Sequence, residues 1–77
     1  MSERAEAFME KWLDENVDAK QLRQPENIVA KRLAKRCLAD ARKVGVPTEE
    51  IVETIGDVEE AIIDELRVVA AAANKQS

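Results

Sequence analysis

Six basic side chains in the middle of the chain are the residues best suited to recognising a partner: Lys31, Arg32, Lys35, Arg36, Arg42 and Lys43. They belong to residues 20–43, a segment with eight basic residues against two acidic ones. The flanking segments are acidic, with net charges of −4 for residues 1–19 and −6 for residues 44–77. Charge sorted in this way governs association more than it governs the fold. The six cations are therefore a candidate surface for an anionic partner.

The sequence leaves the chemistry of that partner open. An acidic protein, a nucleic-acid backbone or phospholipid head groups would each satisfy exposed cations without a specific motif. No aromatic residue lies among the six, so stacking of bases is not expected there. The net charge of −4 also disfavours attraction of the whole molecule to nucleic acid. The alternative is a solvated or internally paired face, because exposed ion pairs form easily and contribute little energy.

Residues that could carry covalent catalysis are few. Cys37 is the only cysteine and the chain has no histidine, so the thiol lacks a base to activate it. Cys37 also falls on an apolar helical face, where a thiol behaves as a small hydrophobe with a raised pKa. We predict a core cysteine and a protein that is not an enzyme. A small metal-dependent or thiol enzyme remains an alternative, behind a protein-interaction module and a polyanion-binding protein.

Carboxylates near the start of the last helix, Glu59, Glu60 and Asp64, are the candidate ligands for a hard cation. The spacing of an EF-hand is absent, and the helical di-metal motif requires histidine. A solvated acidic face is the simpler interpretation of such a run. We therefore expect no metal site and no cofactor.

The elements that must position these residues are helical throughout. Scarce Gly and Pro with abundant Ala and Glu favour helix. The spacing predicts an all-α, compact bundle of three amphipathic helices plus one short helix, at about residues 2–17, 25–44, 48–55 and 57–73. Residues 18–24 are expected to form a loop. The chain has room for one domain, residues 1–77, with a frayed tail from about residue 74.

Apolar residues at helical spacing define the predicted core. The first helix offers Ala5, Phe8, Met9, Trp12, Leu13 and Val17. The second offers Ala30, Leu33, Ala34, Cys37, Leu38, Ala41 and Val44, and the last offers Val58, Ala61, Ile62, Leu66, Val69 and Ala73. Ser2 and Thr48 are predicted N-caps, and Asp57 with Glu60 is a predicted capping box.

The segment from Ala41 to Ile51 resembles a helix-turn-helix, with Gly45 at the turn. The second helix of such a motif enters the major groove of DNA. Its polar residues here include Glu49, Glu50 and Glu53, and it has no Arg, Lys, Asn or Gln, which supply the usual base contacts. We therefore predict that this helix does not read DNA.

Two apolar residues of the last helix, Ile63 and Val68, lie outside its predicted inner face. Exposed apolar area often marks an interface. They form a candidate apolar interface for a homodimer or another partner. The alternative is a helix that is buried more deeply than its neighbours.

The order of several core and cap residues resembles a family of small helical proteins of unknown function found in rhizobia and related alphaproteobacteria. The residues that carry the resemblance are Phe8-x-x-x-Trp12, Asn16-Val17, Ala41-x-x-x-Gly45, Glu50-Ile51, Gly56-Asp57-Val58 and Ile62. The resemblance implies a bacterial origin and no particular activity or site residue.

No apolar run is long enough for a membrane span, and the acidic start of the chain lacks the features of a signal peptide. We expect a small acidic cytoplasmic protein. Its predicted function is a non-enzymatic protein–protein interaction or regulatory module, with an unknown protein partner. The alternative is binding of nucleic acid or another polyanion through the basic face of the second helix.

Overall fold

Four α-helices account for most of the chain in a computed structural model, which describes residues 2–75. They are α1 (Glu3–Asn16), α2 (Glu26–Lys43), α3 (Thr48–Ile55) and α4 (Val58–Lys75), and a 3₁₀ segment (Ala19–Arg23) precedes α2. The described residues contain no strand, so the predicted all-α class is confirmed. The radius of gyration is 12.5 Å, near the value of about 11.5 Å for a compact chain of this length.

Helix packing buries one continuous apolar core. Helix α2 packs along α4, α1 packs against α3, and the 3₁₀ segment packs against α4. The buried residues are Ala5, Met9, Trp12, Val17, Val29, Ala30, Leu33, Ala34, Cys37, Ala41, Val46, Ile51, Val58, Ile62 and Leu66. Most of these were predicted from helical spacing. Val44, in contrast, is largely exposed, because α2 ends before it.

The segment expected to be a loop, residues 18–24, instead holds the 3₁₀ segment. Its polar side chains bond to the local backbone. The Asp18 carboxylate accepts the N–H of Lys20 at 3.0 Å, and the Gln21 side chain accepts the N–H of Asp18 at 3.0 Å. The amide of Gln21 also donates to the carbonyl of Asn16 at 2.8 Å. These local bonds satisfy a carbonyl at the end of α1 and N–H groups at the start of the 3₁₀ segment, and such bonds leave no apolar period in the sequence.

The helix ends differ from expectation at two places. Thr48 is the first residue of α3 and not its N-cap; extended Pro47 holds the cap position without a side-chain bond. At α4 the Asp57 carboxylate accepts the N–H groups of Glu59 at 3.0 Å and Glu60 at 3.4 Å. Helix α4 continues to Lys75, beyond the expected end at residue 73. The rest of the predicted frayed tail, residues 76–77, lies outside the described residues.

The turn between α2 and α3 depends on Gly45, whose φ of +86° is in the left-handed region. The N–H of Val46 bonds to the carbonyl of Ala41 at 2.9 Å, and the N–H of Gly45 bonds to that of Arg42 at 3.2 Å. This pair of bonds is the Schellman motif, in which glycine avoids the steric cost of a Cβ. Val46 is buried beside it, so the turn also anchors the start of α3 in the core.

A polar junction fastens α1 to α3 around Glu50. The Arg4 guanidinium donates to both carboxylate oxygens of Glu50, at 2.5 and 2.7 Å, and the Ser2 hydroxyl donates to one of them. The Ser2 hydroxyl oxygen also accepts the N–H of Ala5 at 3.2 Å, which confirms Ser2 as the cap of α1. Hydrogen bonds from Arg4 and Ser2 lower the pKa of Glu50 to about 2, from 4.5.

This junction predicts a specific response to acid. Because the pKa of Glu50 is lower in the folded state, its stabilising contribution is present above pH 4.5 and is lost as the pH falls towards 2. Glu50→Gln should therefore show a smaller loss of thermal stability than the wild type between those pH values. Melting followed by circular dichroism measures the difference. Glu49→Gln is the matched control and should melt like the wild type across the range; equal acid sensitivity in all three proteins would contradict the prediction.

Candidate interaction surface

The six predicted cations lie on the outer side of α2 and are all exposed. We call Lys31, Arg32, Lys35, Arg36, Arg42 and Lys43 the basic surface. At 100° per residue they fall within an arc of about 140°, and they extend about 18 Å along the helix. The opposite side of α2 is buried through Val29, Ala30, Leu33, Ala34, Cys37 and Ala41. Burial of that apolar stripe is what turns the cations outwards.

The ion pairs that the described residues form do not involve the basic surface. Among the described residues, ion pairs join Arg4 to Glu50 and Arg67 to Glu26 at 3.2 Å. Two members of the basic surface bond to neutral side chains instead: Arg32 to Gln24 at 3.1 Å and Arg36 to Asn16 at 3.4 Å. No carboxylate in the part of the chain that the structure describes lies within salt-bridge distance of these cations. Any compensation must come from more distant charges, from salt or from a partner.

The acidic residue closest in sequence to these cations, Asp40, is directed elsewhere. Its carboxylate accepts a hydrogen bond from Nε1 of Trp12 at 2.9 Å, across the contact between α1 and α2. Sequence reasoning missed this role. The available signal was the position of Asp40 on α2: at 100° per residue it lies at the edge of the apolar stripe, between Arg36 and the buried side. A buried Trp requires an acceptor for its N–H, and Asp40 supplies it.

The basic surface has two edges. Lys31, Lys35 and Arg42 form the first edge, next to half-buried Leu38. Arg32, Arg36 and Lys43 form the second edge. The bond to Asn16 places it near the end of α1, and the bond to Gln24 places it near the end of the 3₁₀ segment.

An apolar residue lies among the cations. Ile28 is 50% exposed, and with Lys31, Arg32 and Lys35 it lines a shallow depression of about 240 Å³. A partner that binds here contacts the apolar side chain of Ile28 in addition to the cations.

Cys37 is fully buried on the inner side of α2, as the sequence predicts. Its thiol lies 3.3 Å from the sulfur of Met9. Burial, together with the nearby charge of Asp40, raises the pKa of the thiol to about 11. A thiol with this pKa stays protonated near neutral pH and is a poor nucleophile.

The other predicted site residues are separated in the structure. Ile63 is half-buried against the core, whereas Val68 is 61% exposed. At 100° per residue they lie on opposite flanks of the buried stripe of α4 and do not form one continuous patch. Within residues 2–75, no three carboxylate or cysteine side chains are grouped so that they could hold a metal ion.

Helix α3 presents acidic residues where a DNA-reading helix would present base contacts. Glu49 and Glu53 are exposed, and Glu50 is occupied by Arg4 and Ser2. Carboxylates on this face would repel a phosphate backbone.

Comparison with protein-family models, with curated proteins and with solved structures gives no significant match. Separately, none of the helices in the described part of the chain combines the length and the apolar character needed to cross a membrane.

Proposed function

We propose that the protein is a non-enzymatic interaction module, in which the basic surface of α2 binds an acidic surface of a protein partner. The observation that carries the proposal is the exposure of all six cations without an ion pair among the described residues. An uncompensated cluster of one sign attracts the opposite sign and accelerates encounter. The buried thiol of Cys37, with its raised pKa, supports a binding role over thiol catalysis.

A protein partner fits this surface better than a nucleic acid. Ile28 supplies apolar contact area among the cations, whereas neither Phe8 nor Trp12, the only aromatic residues, lies there to stack on bases. The acidic remainder of the domain would also repel an extended polyanion. A folded partner can confine its carboxylates to the area that faces α2. The proposal includes a bacterial cytoplasmic setting, which rests on the resemblance to the rhizobial family.

The second candidate is polyanion binding through the same surface, and the same uncompensated charge favours it. Defined probes separate the two: a folded acidic protein domain with an exposed patch of carboxylates, and a short DNA duplex. At low salt, the first candidate predicts backbone amide shifts at Lys31, Lys35 and Arg36 with the acidic protein and weaker ones with DNA. The shifts should fade as salt rises. Larger shifts with DNA would favour the second candidate, and no shifts with either probe would contradict both.

Charge reversal tests the same surface quantitatively. The triple variant Arg32→Glu, Lys35→Glu, Arg36→Glu should bind the acidic protein at least about tenfold more weakly. The matched control reverses Lys11, Lys20 and Arg23, which are exposed cations outside the basic surface. Both variants change the net charge equally, so equal weakening would assign binding to overall charge and would contradict a dedicated surface. Calorimetric titration measures both affinities.

A further inference from the structure

A groove of about 430 Å³ lies where α2, α3 and the start of α4 meet. Its floor is apolar: Ala34 and Leu38 come from α2, Val52 from α3 and Val58 from α4. Val52 is 51% exposed. Ala34 and Val58 are buried and Leu38 is half-buried, so the apolar area that the domain leaves uncovered is centred on Val52 and Leu38.

The two rims of this groove carry opposite charge. On the α2 side, Lys31 and Lys35 precede Ala34 and Leu38 by three residues, which makes them neighbours on the helix surface. On the other side, the exposed carboxylates of Asp57 and Glu59 line the groove. A uniformly acidic partner would be repelled by one rim, and a uniformly basic partner by the other. The occupant must therefore place acidic residues opposite the basic rim and basic residues opposite the acidic rim.

A second copy of this chain meets that requirement by symmetry. When the copy is turned about a two-fold axis that runs along the groove, the basic rim of each copy faces the acidic rim of the other. An isologous contact of this kind is self-complementary, since each residue pair occurs twice. The apolar floors then lie at the centre and the charges at the edges, which is the usual anatomy of a protein interface. We infer that the protein self-associates through this groove as a two-fold dimer.

The dimer does not depend on the proposed partner. It does share Lys31 and Lys35, on the first edge of the basic surface, with the contact proposed for the partner, so the two contacts compete there. The second edge stays free in the dimer: Arg32, Arg36 and Lys43. It also differs from the interface predicted at Ile63 and Val68, which lie on the flanks of α4.

Analytical ultracentrifugation up to about 1 mM protein tests the dimer, and that range would detect dissociation constants in the micromolar range. Val52→Asp should weaken association at least about tenfold, because it places a charge in the apolar floor. Val52 is half exposed, so the variant should keep the wild-type circular dichroism spectrum. Val68→Asp is the matched control on α4 and should leave association unchanged. A wild type that stays monomeric, or an equal effect of both variants, would overturn the inference.

Exchange of charges gives a sharper test that does not touch the floor. In a dimer of Lys35→Glu, the new carboxylate of each copy faces Glu59 of the other and is repelled. In a dimer of Glu59→Lys, the new ammonium group of each copy faces Lys35 of the other and is repelled. Each variant alone should therefore associate at least about fivefold more weakly than the wild type. An equimolar mixture should recover association, because in the mixed dimer both charge pairs are opposite again. A mixture that associates no better than its components would exclude the two-fold arrangement, whatever the result for the acidic partner.

Discussion

Replacement of Trp12 by alanine is expected to lower the free energy of unfolding by about 3–5 kcal/mol. The indole is buried to 4% exposure between α1 and α2, and its N–H donates to Asp40 at 2.9 Å. Truncation removes the largest side chain of the core and leaves the Asp40 carboxylate without its donor. A domain of this length is stable by about 4–11 kcal/mol in total, so the loss is a large fraction of the stability, and at the lower end of that range the variant is unfolded.

Urea denaturation followed by circular dichroism measures the loss, since the substitution removes the only tryptophan. Ile28→Ala is the control; it truncates a half-exposed apolar residue of α2 and should change stability by less than about 0.5 kcal/mol. Trp12→Phe keeps an aromatic ring but removes the bond to Asp40, and it should lose less than the alanine variant. An unchanged transition in Trp12→Ala would show that α1 is peripheral to the core.

The second large effect is expected at Ile51, the one residue of α3 that is buried. An isolated helix of eight residues is not stable in water, so α3 depends on its anchor. Ile51 is fully buried, and Ile51→Ala should lower the free energy of unfolding by about 2–5 kcal/mol.

The neighbouring residue supplies the control. Val52→Ala shortens a half-exposed side chain on the same helix and should change stability by less than about 0.5 kcal/mol. Hydrogen exchange should also show faster exchange across α3 in Ile51→Ala than in Val52→Ala. Equal stabilities in the two variants would mean that the junction at Glu50, and not Ile51, holds α3 in place.

The positions of the helices could be predicted because the information is local. Apolar residues repeat at helical spacing through α1, α2 and α4, and Gly45 followed by Pro47 marks the end of α2. The 3₁₀ segment could not be predicted in this way, because the bonds of Asp18 and Gln21 satisfy the backbone without any apolar period. Local polar bonds of this type compete with regular structure and leave little trace in a hydrophobicity pattern.

The basic surface, likewise, could be predicted only in part. Its membership follows from the helical angle of each residue, which the sequence supplies directly. Whether the described residues pair with it depends on which elements lie opposite α2, and that is a tertiary property. Asp40 illustrates the difference: beside the cations in sequence it suggests a local counter-charge, yet its carboxylate bonds to Trp12. The pairing of Glu50 with Arg4, 46 residues away in the chain, likewise has no local signal.

Because Cys37 is buried, the rate at which its thiol is modified reports how often the core opens. A thiol reagent cannot reach the sulfur while α2 is packed against its neighbours. Modification then proceeds only during transient openings, at a rate set by how often the core opens and how quickly it closes. Each core substitution should therefore leave a kinetic signature at this one atom, without any label added to the protein.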